Sequence, residues 1–471
     1  GGGAALCTAG DPVKSSITAR SLGRTSAIQA FDGTAYGRRP AATAKKPGVA
    51  GRGLNMRILF ISNFYPPHDL GGWEQNCQEI VQHLQARGHD CHVLTSRHGL
   101  NGRPPDEPGI TRALHLQADI HYYKPLAFFM RRPGEEKANV RALRDALDAF
   151  EPDVIFIWGM WNLSFRVAYW AEQWLPGRVA YAVAGYWFMQ PDPHQAYWQQ
   201  PPRRKVTRAL LSPARWLAQR QLDREKDAYP LQLDHVACVS EYVRNKLSQA
   251  GVLPHGACVI YNGIDPEPYM LAAAQRKPST VLRLIYTGGL VAHKGVHTTI
   301  DALGLLKQRG QIGAITLDVV GSGHPDYEAH LQARVPALGL SDHVVFRGRV
   351  PRGEIPAILA GHDVFLFTSV YEEPIARTVM EAMASGLAVI GTPVGGQPEI
   401  LENGVNALIF PPDDALWLAK CILALQQDSA LCACLAGAGR CTVQERFTLK
   451  RMVDEMETWL KSILRSQHSS C

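Results

Sequence analysis

The chain has 471 residues, of which 46% are apolar, 20% charged and 8% aromatic, as is usual for a globular protein of two or three domains. This composition excludes a fibre, a coiled coil and a largely disordered chain. The net charge of +6 lies entirely within residues 1–55, because the other 416 residues hold 41 basic and 41 acidic side chains. With no basic excess to release counterions, the folded part is predicted to have no nucleic-acid partner.

Residues 1–55 are rich in Gly, Ala, Ser and Thr, poor in acids, and lack helical or strand periodicity. We expect them to form a disordered leader outside the fold. Two origins remain open, an organelle transit peptide or sequence translated upstream of a start at Met56. The lack of an amphipathic arginine-bearing helix favours the second.

From Met56 onwards, short β-branched or aromatic runs alternate with longer amphipathic stretches, which is typical of a parallel sheet covered by helices on both faces. Strands are predicted at 56–62, 91–96, 153–158, 179–184, 235–240 and 257–261. Helices are predicted at 73–87, 136–150, 163–175 and 203–228. These segments predict an N-terminal Rossmann-like domain over residues 56–262.

A second set of elements follows the polar, proline-containing stretch 263–280, which we interpret as a hinge. Strands are predicted at 281–287, 315–320, 343–348, 363–368, 387–392 and 406–410, and helices at 294–308, 326–338, 352–361, 376–385 and 413–427. The sequence therefore predicts a second doubly wound α/β domain over 281–427, and then helices over 428–471 that cross back to the first half. Two such domains form a cleft between the carboxyl ends of their strands, where phosphate-bearing ligands bind.

Paired glycines occur at two predicted strand ends. Gly71 and Gly72 precede the first helix, where backbone N–H groups can approach a phosphate closely, although a plain strand-to-helix turn explains the pair as well. Gly288 and Gly289 precede Lys294, whose ammonium fits a diphosphate as a point charge. The absence of G-x-G-x-x-G after the first strand argues against a nicotinamide dinucleotide.

The strongest local pattern is SVYEEPIARTVMEAMASG at 369–386. Glu373 falls in a turn after a predicted strand, and Glu381 lies eight residues further along a predicted helix. This spacing separates the two carboxylates by about 12 Å, which is comparable with the span from ribose to hexose in a nucleotide-sugar. We therefore predict that Glu381 binds the ribose and Glu373 the hexose, the alternative being chance spacing of surface glutamates.

An ordered set of segments resembles glycosyltransferase family 4. The segments are LGGWE (70–74), VSEYVRNKL (239–247), VIYNGID (259–265), YTGGLVAHKG (286–295), VVGSGHPDYEAHL (319–331), VVFRGRVP (344–351), EEPIARTVMEAMASG (372–386) and GTPVGGQPEILENGVNALIFPPDD (391–414). The resemblance covers about residues 56–464. It implies the GT-B fold, in which two Rossmann-like domains face each other across a cleft.

The resemblance also implies an activity, the transfer of a hexose from a nucleotide-diphosphate sugar to a glycan, lipid or small-molecule acceptor, with retention of anomeric configuration. It implies no metal and no cofactor besides the donor substrate, because helix N-termini and cationic side chains hold the leaving diphosphate in the family. The lack of a D-x-D motif in a suitable loop agrees with this expectation.

The same resemblance implies catalytic roles for Glu373 and Lys294, the former as the first member of the E-x7-E pair that Glu381 completes. The residues that it implies for donor binding are Gly71, Gly72, Gly288, Gly289, Lys294, Arg347, Gly348, Val350, Glu373, Ile375, Ala376, Arg377, Thr378 and Glu381. Two positions depart from the family. Gly289 replaces an arginine that contacts the diphosphate, and Ala184 replaces a histidine near the transferred sugar, for which His194 is a candidate substitute.

The acceptor side carries weaker signals. Segment 201–220 has six basic residues and no acid, with Trp216 and Leu217 among its apolar positions, which is typical of an amphipathic helix on an anionic membrane. A solvated charged helix interrupted at Pro213 explains the segment as well. The aromatic residues between Tyr186 and Trp198 fit stacking on a sugar or an apolar aglycone, or ordinary core packing.

The cysteine pattern bears on the compartment. The ten cysteines are scattered without a C-x-x-C pair, which argues against zinc and is typical of a reducing environment. No stretch approaches the roughly 18 consecutive apolar residues of a spanning helix. We therefore expect a cytoplasmic protein, with segment 201–220 as a peripheral contact to the inner membrane face.

Two competing functions on the same fold remain open. A nucleotide-sugar epimerase would convert the donor without an acceptor. A non-catalytic nucleotide-sugar-binding protein would bind the donor without turnover, and the replacements at Gly289 and Ala184 are compatible with that function.

Overall fold

The computed structural model describes residues 55–68, 71–100, 102, 107–120, 122–200, 205–225 and 228–468. Almost all of the predicted leader, and residues 201–204 of the basic segment, lie outside these ranges. Two parallel sheets with helices on both faces form two domains, so that the predicted doubly wound α/β class is confirmed.

Within the described residues, the sheet of the first domain has seven parallel strands in the order β3-β2-β1-β4-β5-β6-β7. The strands are β1 (Arg57–Ser62), β2 (Asp90–Ser96), β3 (Ile110–Leu114), β4 (Val154–Gly159), β5 (Val179–Val183), β6 (His235–Cys238) and β7 (Cys258–Val259). Every residue of β4 and β5 is buried, because helices cover both faces of the sheet. Their continuous apolar runs follow from that double burial.

The described part of the second domain contains a parallel sheet of six strands in the order β10-β9-β8-β11-β12-β13. The strands are β8 (Leu282–Thr287), β9 (Ile315–Val320), β10 (Val344–Gly348), β11 (Val364–Phe367), β12 (Ala388–Gly391) and β13 (Ala407–Ile409). Strand β11 lies beside β8 at the point where the strand order reverses. Ligands of open α/β sheets bind at this topological switch point.

Helices connect most of the strands up to β13 and then continue alone. They are α1 (Gly72–Ala86), α2 (Pro125–Met130), α3 (Arg132–Phe150), α4 (Phe165–Trp174), α5 (Pro193–Gln199), α6 (Lys205–Glu225), α7 (Glu241–Gln249), α8 (Glu267–Ala273), α9 (Val296–Gln308), α10 (Pro325–Ala337), α11 (Ile355–Ala360), α12 (Arg377–Ala384), α13 (Ala415–Gln427), α14 (Ser429–Arg446) and α15 (Leu449–His468). The segment interpreted as a hinge contains α8, which packs against α11 and α12.

Helix α15 returns the chain to the first domain. Its buried side chains Met452, Met456 and Leu460 share an apolar cluster with Met56 and Phe60 of the first sheet. The polypeptide therefore passes between the domains twice, once before β8 and once before α15. The second passage is fixed by a hydrogen bond from the Leu449 N–H to the Ile264 carbonyl, 2.7 Å long.

The described helices were also compared with the length and apolarity that a bilayer crossing requires. No single helix among them meets both conditions. Helices α13 and α14 meet them only as a pair, and the two are bent by 104° at their junction.

Candidate functional site

A cleft of about 490 Å³ lies between the carboxyl ends of the two sheets. The first domain contributes the start of α1 and the end of β5, including Ala184. The second domain contributes the ends of β8 and β11, the loop after β10 and the start of α12. The predicted donor residues that line the cleft are Gly72 from the first domain and, from the second, Gly288, Lys294, Val350, Glu373, Ile375, Ala376, Arg377, Thr378 and Glu381.

Four predicted donor residues do not line the cleft: Gly71, Gly289, Arg347 and Gly348. Gly71 caps α1, and its N–H donates to the Glu74 carboxylate at 3.1 Å. The Arg347 guanidinium is ion-paired with Asp318. Its side chain therefore turns to its own sheet, because the neighbouring strand β9 presents that carboxylate.

Asp318 has two cationic or hydrogen-bonding neighbours. Burial alone would raise the pKa of this carboxyl, but hydrogen bonds from His362 and Arg347 outweigh burial and lower it. His362 Nε2 lies 3.0 Å from the Asp318 carboxylate. Arg347, Asp318 and His362 therefore form a network of side chains beside the cleft. This network accounts for the position of Arg347 without a bound ligand.

Lys294 and Glu373 form the central pair of the cleft. The Lys294 ammonium lies 2.7 Å from Glu373 Oε1, and the Glu373 side chain is only 12% exposed. Lys294 ends a single 3₁₀ turn after β8, and the Thr368 hydroxyl donates to its carbonyl at 2.9 Å. This bond brings the end of β8 against the end of β11, so the lysine and the glutamate meet although 79 positions separate them.

Two glycines allow the backbone to pack closely around Lys294 and Glu373. Gly295 has a φ of 66°, and a Cβ there would collide with the Thr368 carbonyl. Gly395 has a φ of 60°, and a side chain on it would collide with the backbone of Glu373. The glycines of the sequence segments 286–295 and 391–414 are thus explained by close packing around the Lys294–Glu373 pair.

His293 precedes the lysine and was not selected from the sequence. Burial lowers the pKa of its imidazole, the neighbouring Lys294 lowers it further, and Glu373 acts in the opposite direction. The imidazole is therefore neutral at pH 7, and its ring lies 5.6 Å from that of Tyr371. Its position between the end of β8 and Lys294 is the sequence signal that could have indicated it.

Helix α12 begins at the cleft. Ala376 is its N-cap residue and offers no side-chain cap, so the backbone N–H groups of the first turn are left for other acceptors. Ile375 and Ala376 are buried, at 7% and 5% exposure, which explains why the sequence keeps small or apolar residues there. A helix N-terminus in this state favours an anion.

Glu381 lies one turn further along α12, surrounded by cations. Arg377 Nε donates to Glu381 Oε1 at 3.1 Å, and Arg352 Nη2 lies 3.8 Å from the same oxygen. Burial alone would lower the pKa of the Arg377 guanidinium, but Glu79 and Glu381 outweigh burial and raise it. Sequence reasoning did not find Arg352 or Glu79, because they are distant in the chain and follow no motif.

The two departures from the family have different surroundings. Ala184 lines the cleft, and His194 is not its substitute, because it is buried in α5 with its Nδ1 2.8 Å from the Tyr123 hydroxyl. Burial lowers the pKa of His194 to about 3, with a further contribution from Arg132. On the donor side, Arg349 lines the cleft and forms no ion pair with the described residues.

Across the described ranges, no group of three or more His, Cys, Asp or Glu side chains is arranged to hold a metal ion.

Two family models match the chain. The model described as Glycosyltransferase Family 4 matches residues 70–268, and that described as Glycosyl transferases group 1 matches residues 282–428. Together they cover more than half of the chain, one in each domain, and their boundary falls in the predicted hinge.

Among curated proteins, the chain is similar to the amylovoran biosynthesis glycosyltransferase AmsK of Erwinia amylovora. The two are 32% identical over 236 residues, which is 48% of this chain and 56% of AmsK. The chain spans about half the length of the first curated relatives that it matches.

Among solved structures, the fold is similar to that of Anabaena HepE in complex with UDP. The TM-score is 0.61 at 21% identity, and the match covers 86% of this chain and all of HepE. Sucrose-phosphate synthase from Thermosynechococcus elongatus gives a TM-score of 0.64 at 20% identity, covering 88% of this chain and all of that enzyme. Both matches extend over the two domains and confirm the predicted GT-B fold.

Proposed function

The chain belongs to the glycosyltransferases of group 1 and family 4, and on that basis we propose that it transfers a hexose from a nucleotide-diphosphate sugar to an acceptor, with retention of anomeric configuration. The observation that carries the proposal is the Lys294–Glu373 pair, 2.7 Å apart, in a cleft that also holds Glu381 and the start of α12. HepE has been solved with UDP and with UDP-glucose. UDP-sugars are therefore the first donors to test.

The proposed chemistry rests on charge. As the bond between the sugar and the diphosphate breaks, negative charge grows on the departing phosphate, which the Lys294 ammonium and the N–H groups at the start of α12 stabilise. Such groups are fixed before the reaction begins and are worth most in a site that excludes water. Glu373 holds the lysine until the donor enters and then faces the hexose.

The arginine that the family has at the position of Gly289 is absent here. We propose that Lys294 and Arg349 share its charge, since both line the cleft and Arg349 is not bound to a carboxylate of the described chain. Because these cations and the helix N-terminus supply the positive charge, we propose that transfer requires no metal ion. Activity that survives treatment with EDTA would agree with this, and activity restored only by a divalent cation would contradict it.

The acceptor is proposed to be a glycan, or a glycolipid at the cytoplasmic face of a membrane. Helix α6 supports the second class, because Trp216 and Leu217 are 60% and 50% exposed in a segment that carries six basic residues and no acid. The Arg220 guanidinium lies 5.2 Å from the Trp216 ring. An exposed indole flanked by cations fits an anionic lipid surface.

A donor screen tests the proposal. A nucleotide-sugar that binds only the folded protein raises its melting temperature, so UDP-, ADP- and GDP-hexoses are compared at equal concentration. The donor that binds is then incubated alone and with a panel of glycan and lipid acceptors. We expect slow hydrolysis at most without an acceptor, and a new glycosidic product with one.

Two other outcomes would contradict transfer. Conversion of the donor alone into its epimer would indicate an epimerase. Binding without turnover over the whole acceptor panel would favour a non-catalytic binding protein. This is the second candidate function, because Gly289 and Ala184 replace an arginine and a histidine of the family.

A further inference from the structure

Glu79 of the first domain reaches across the cleft to two arginines of the second. Arg377 donates from both terminal nitrogens, Nη1 to Glu79 Oε2 and Nη2 to Glu79 Oε1, each at 2.9 Å. Arg352 Nη2 donates to Glu79 Oε1 at 3.1 Å, and its Nη1 donates to Gln75. Glu79 is therefore the carboxylate on which the two guanidinium groups converge.

The Arg377 side chain is held tightly in this position. It is only 11% exposed, and its Cδ passes close to Gly72 at the start of α1. Two parallel bonds between a guanidinium and a carboxylate form a rigid, charge-assisted contact. Glu79 thereby fixes the plane of the Arg377 fork.

This geometry has a consequence for Glu381. Arg377 and Glu381 are one helical turn apart on α12, near enough for the whole fork to bind the Glu381 carboxylate. Because both terminal nitrogens are directed to Glu79, the bond that Arg377 makes to Glu381 comes from Nε, which donates to Oε1 at 3.1 Å. An arginine released from Glu79 would turn its fork to Glu381 and compete with hydroxyl donors for that carboxylate.

We propose that Glu79 is a positioning residue for ribose recognition. By holding the Arg377 fork on the first domain, it keeps the Glu381 carboxylate open to the ribose hydroxyls of a nucleoside diphosphate. The inference rests on the proposed function, because it takes Glu381 as the ribose-binding group. According to this inference, a first-domain residue outside the donor motifs determines how strongly the second domain prefers a ligand that carries the ribose hydroxyls.

A simpler role for Glu79 is to hold the two domains together. Other contacts between the domains also do this: Lys246 is ion-paired with Glu372, and the Glu399 carboxylate accepts from the Tyr242 N–H at 2.8 Å. Loss of a contact that only closes the cleft weakens every ligand by the same factor. Loss of a positioning residue weakens only those ligands that present the hydroxyls.

The experiment compares ligands with and without these hydroxyls by isothermal titration. UDP, ADP and GDP are titrated first, and the tightest is then compared with its 2′,3′-dideoxy counterpart. We expect the wild type to prefer the hydroxylated ligand by roughly 10- to 100-fold, the range for hydrogen bonds to a charged group. Glu79→Gln is expected to reduce the preference to about threefold or less, and Glu381→Gln to abolish it.

Two further variants separate the explanations. Glu372→Gln removes an interdomain ion pair that does not involve Glu381, so both affinities are expected to fall together while the preference stays at the wild-type value. Adding Arg377→Gln to Glu79→Gln removes the competing fork, and the double variant is expected to regain the preference. Melting curves of each variant identify any that fails to fold.

Each result decides the question. A Glu79→Gln variant that is folded and keeps the wild-type preference overturns the inference and leaves the proposed function standing. The same holds if the double variant fails to regain the preference while it still binds the dideoxy ligand. If the wild type binds none of the three nucleotides, the proposed function itself fails.

Discussion

The two walls of the cleft are built differently. Most of the second-domain wall comes from two short segments, 286–295 and 369–381, which meet because β8 and β11 are neighbours, and the loop after β10 adds Arg349 to Arg352. The first-domain wall takes four residues from the start of α1, together with Ala184 after β5 and Asn262 after β7. We therefore expect the second domain to carry the chemistry of the donor, and the first domain to close the site and present the acceptor.

Removal of the central charge should break this division most strongly. Lys294→Ala is expected to lower kcat by roughly 10²–10³, because a preorganised group facing the departing diphosphate acts mainly in the transition state. Glu373→Ala should also lower turnover. The matched control is Lys307→Ala, an exposed lysine on α9, which should keep the wild-type rate. Near-normal turnover in both site variants, with a defined acceptor, would show the assigned site to be wrong.

The two glutamates of the second domain should differ in what they bind. Glu381→Ala is expected to weaken the free nucleotide about 10-fold or more, since it removes a charged acceptor of hydrogen bonds. Glu373→Ala should leave nucleotide affinity near the wild-type value. Titration with the nucleoside diphosphate measures both, and equal losses in the two variants would contradict the division of ribose and hexose.

The first domain should be the one that contacts lipid. Changing Trp216 and Leu217 together to serine is expected to reduce binding to anionic vesicles about tenfold, because the exposed apolar contacts are lost. Leu271→Ser is the control, since that leucine is 62% exposed on α8 outside the basic helix. Co-sedimentation at low salt gives the measurement. A wild type that does not bind such vesicles would direct the search to acceptors in solution.

Titratable groups of the first domain should serve folding rather than catalysis. Burial lowers the pKa of His194 in the folded protein to about 3, from the ordinary value of 6.5. Below about pH 6.5 the histidine is therefore protonated in the unfolded chain but stays neutral in the folded protein. Stability should therefore be full above pH 6.5 and fall by roughly 1 kcal/mol by pH 5.5. Urea unfolding at several pH values should give a flatter dependence for His194→Gln. The exposed His330→Gln serves as control, and an unchanged slope in the His194 variant would contradict the assignment.

The smallest effect is expected from the leader. A chain that begins at Met56 should fold, bind the donor and melt at the wild-type temperature, because the apolar pattern begins there. Thermal unfolding with and without the nucleotide checks this. A melting temperature lower by several degrees would move the boundary of the first domain towards the N-terminus.

Much of the fold could be predicted because buried parallel strands are continuous apolar runs. The exception is β3, whose sequence ITRAL places Thr111 and Arg112 in a five-residue edge strand and so lacks the signal of double burial. Helices α2, α5, α7 and α8 have six to nine residues, too few turns for a period of 3.6 to emerge. Tertiary packing stabilises these helices.

The site divides in the same way. Lys294, Glu373 and Glu381 were predictable because each lies in a segment where glycines and a strand end occur together. Glu79 and Arg352 were not, since 273 positions separate them and only the approach of the two domains brings them together. Arg347 shows the opposite error, because its position next to the cleft does not reveal that Asp318 holds it elsewhere.

The return of α15 to the first sheet determines the order in which the protein can be completed during synthesis. The first domain emerges from the ribosome early. The apolar surface around Met56 and Phe60, however, stays uncovered until α15 has been made. Until residues 449–468 are made, that surface is exposed to water and to other chains. The first domain is therefore completed only after the second domain has been translated.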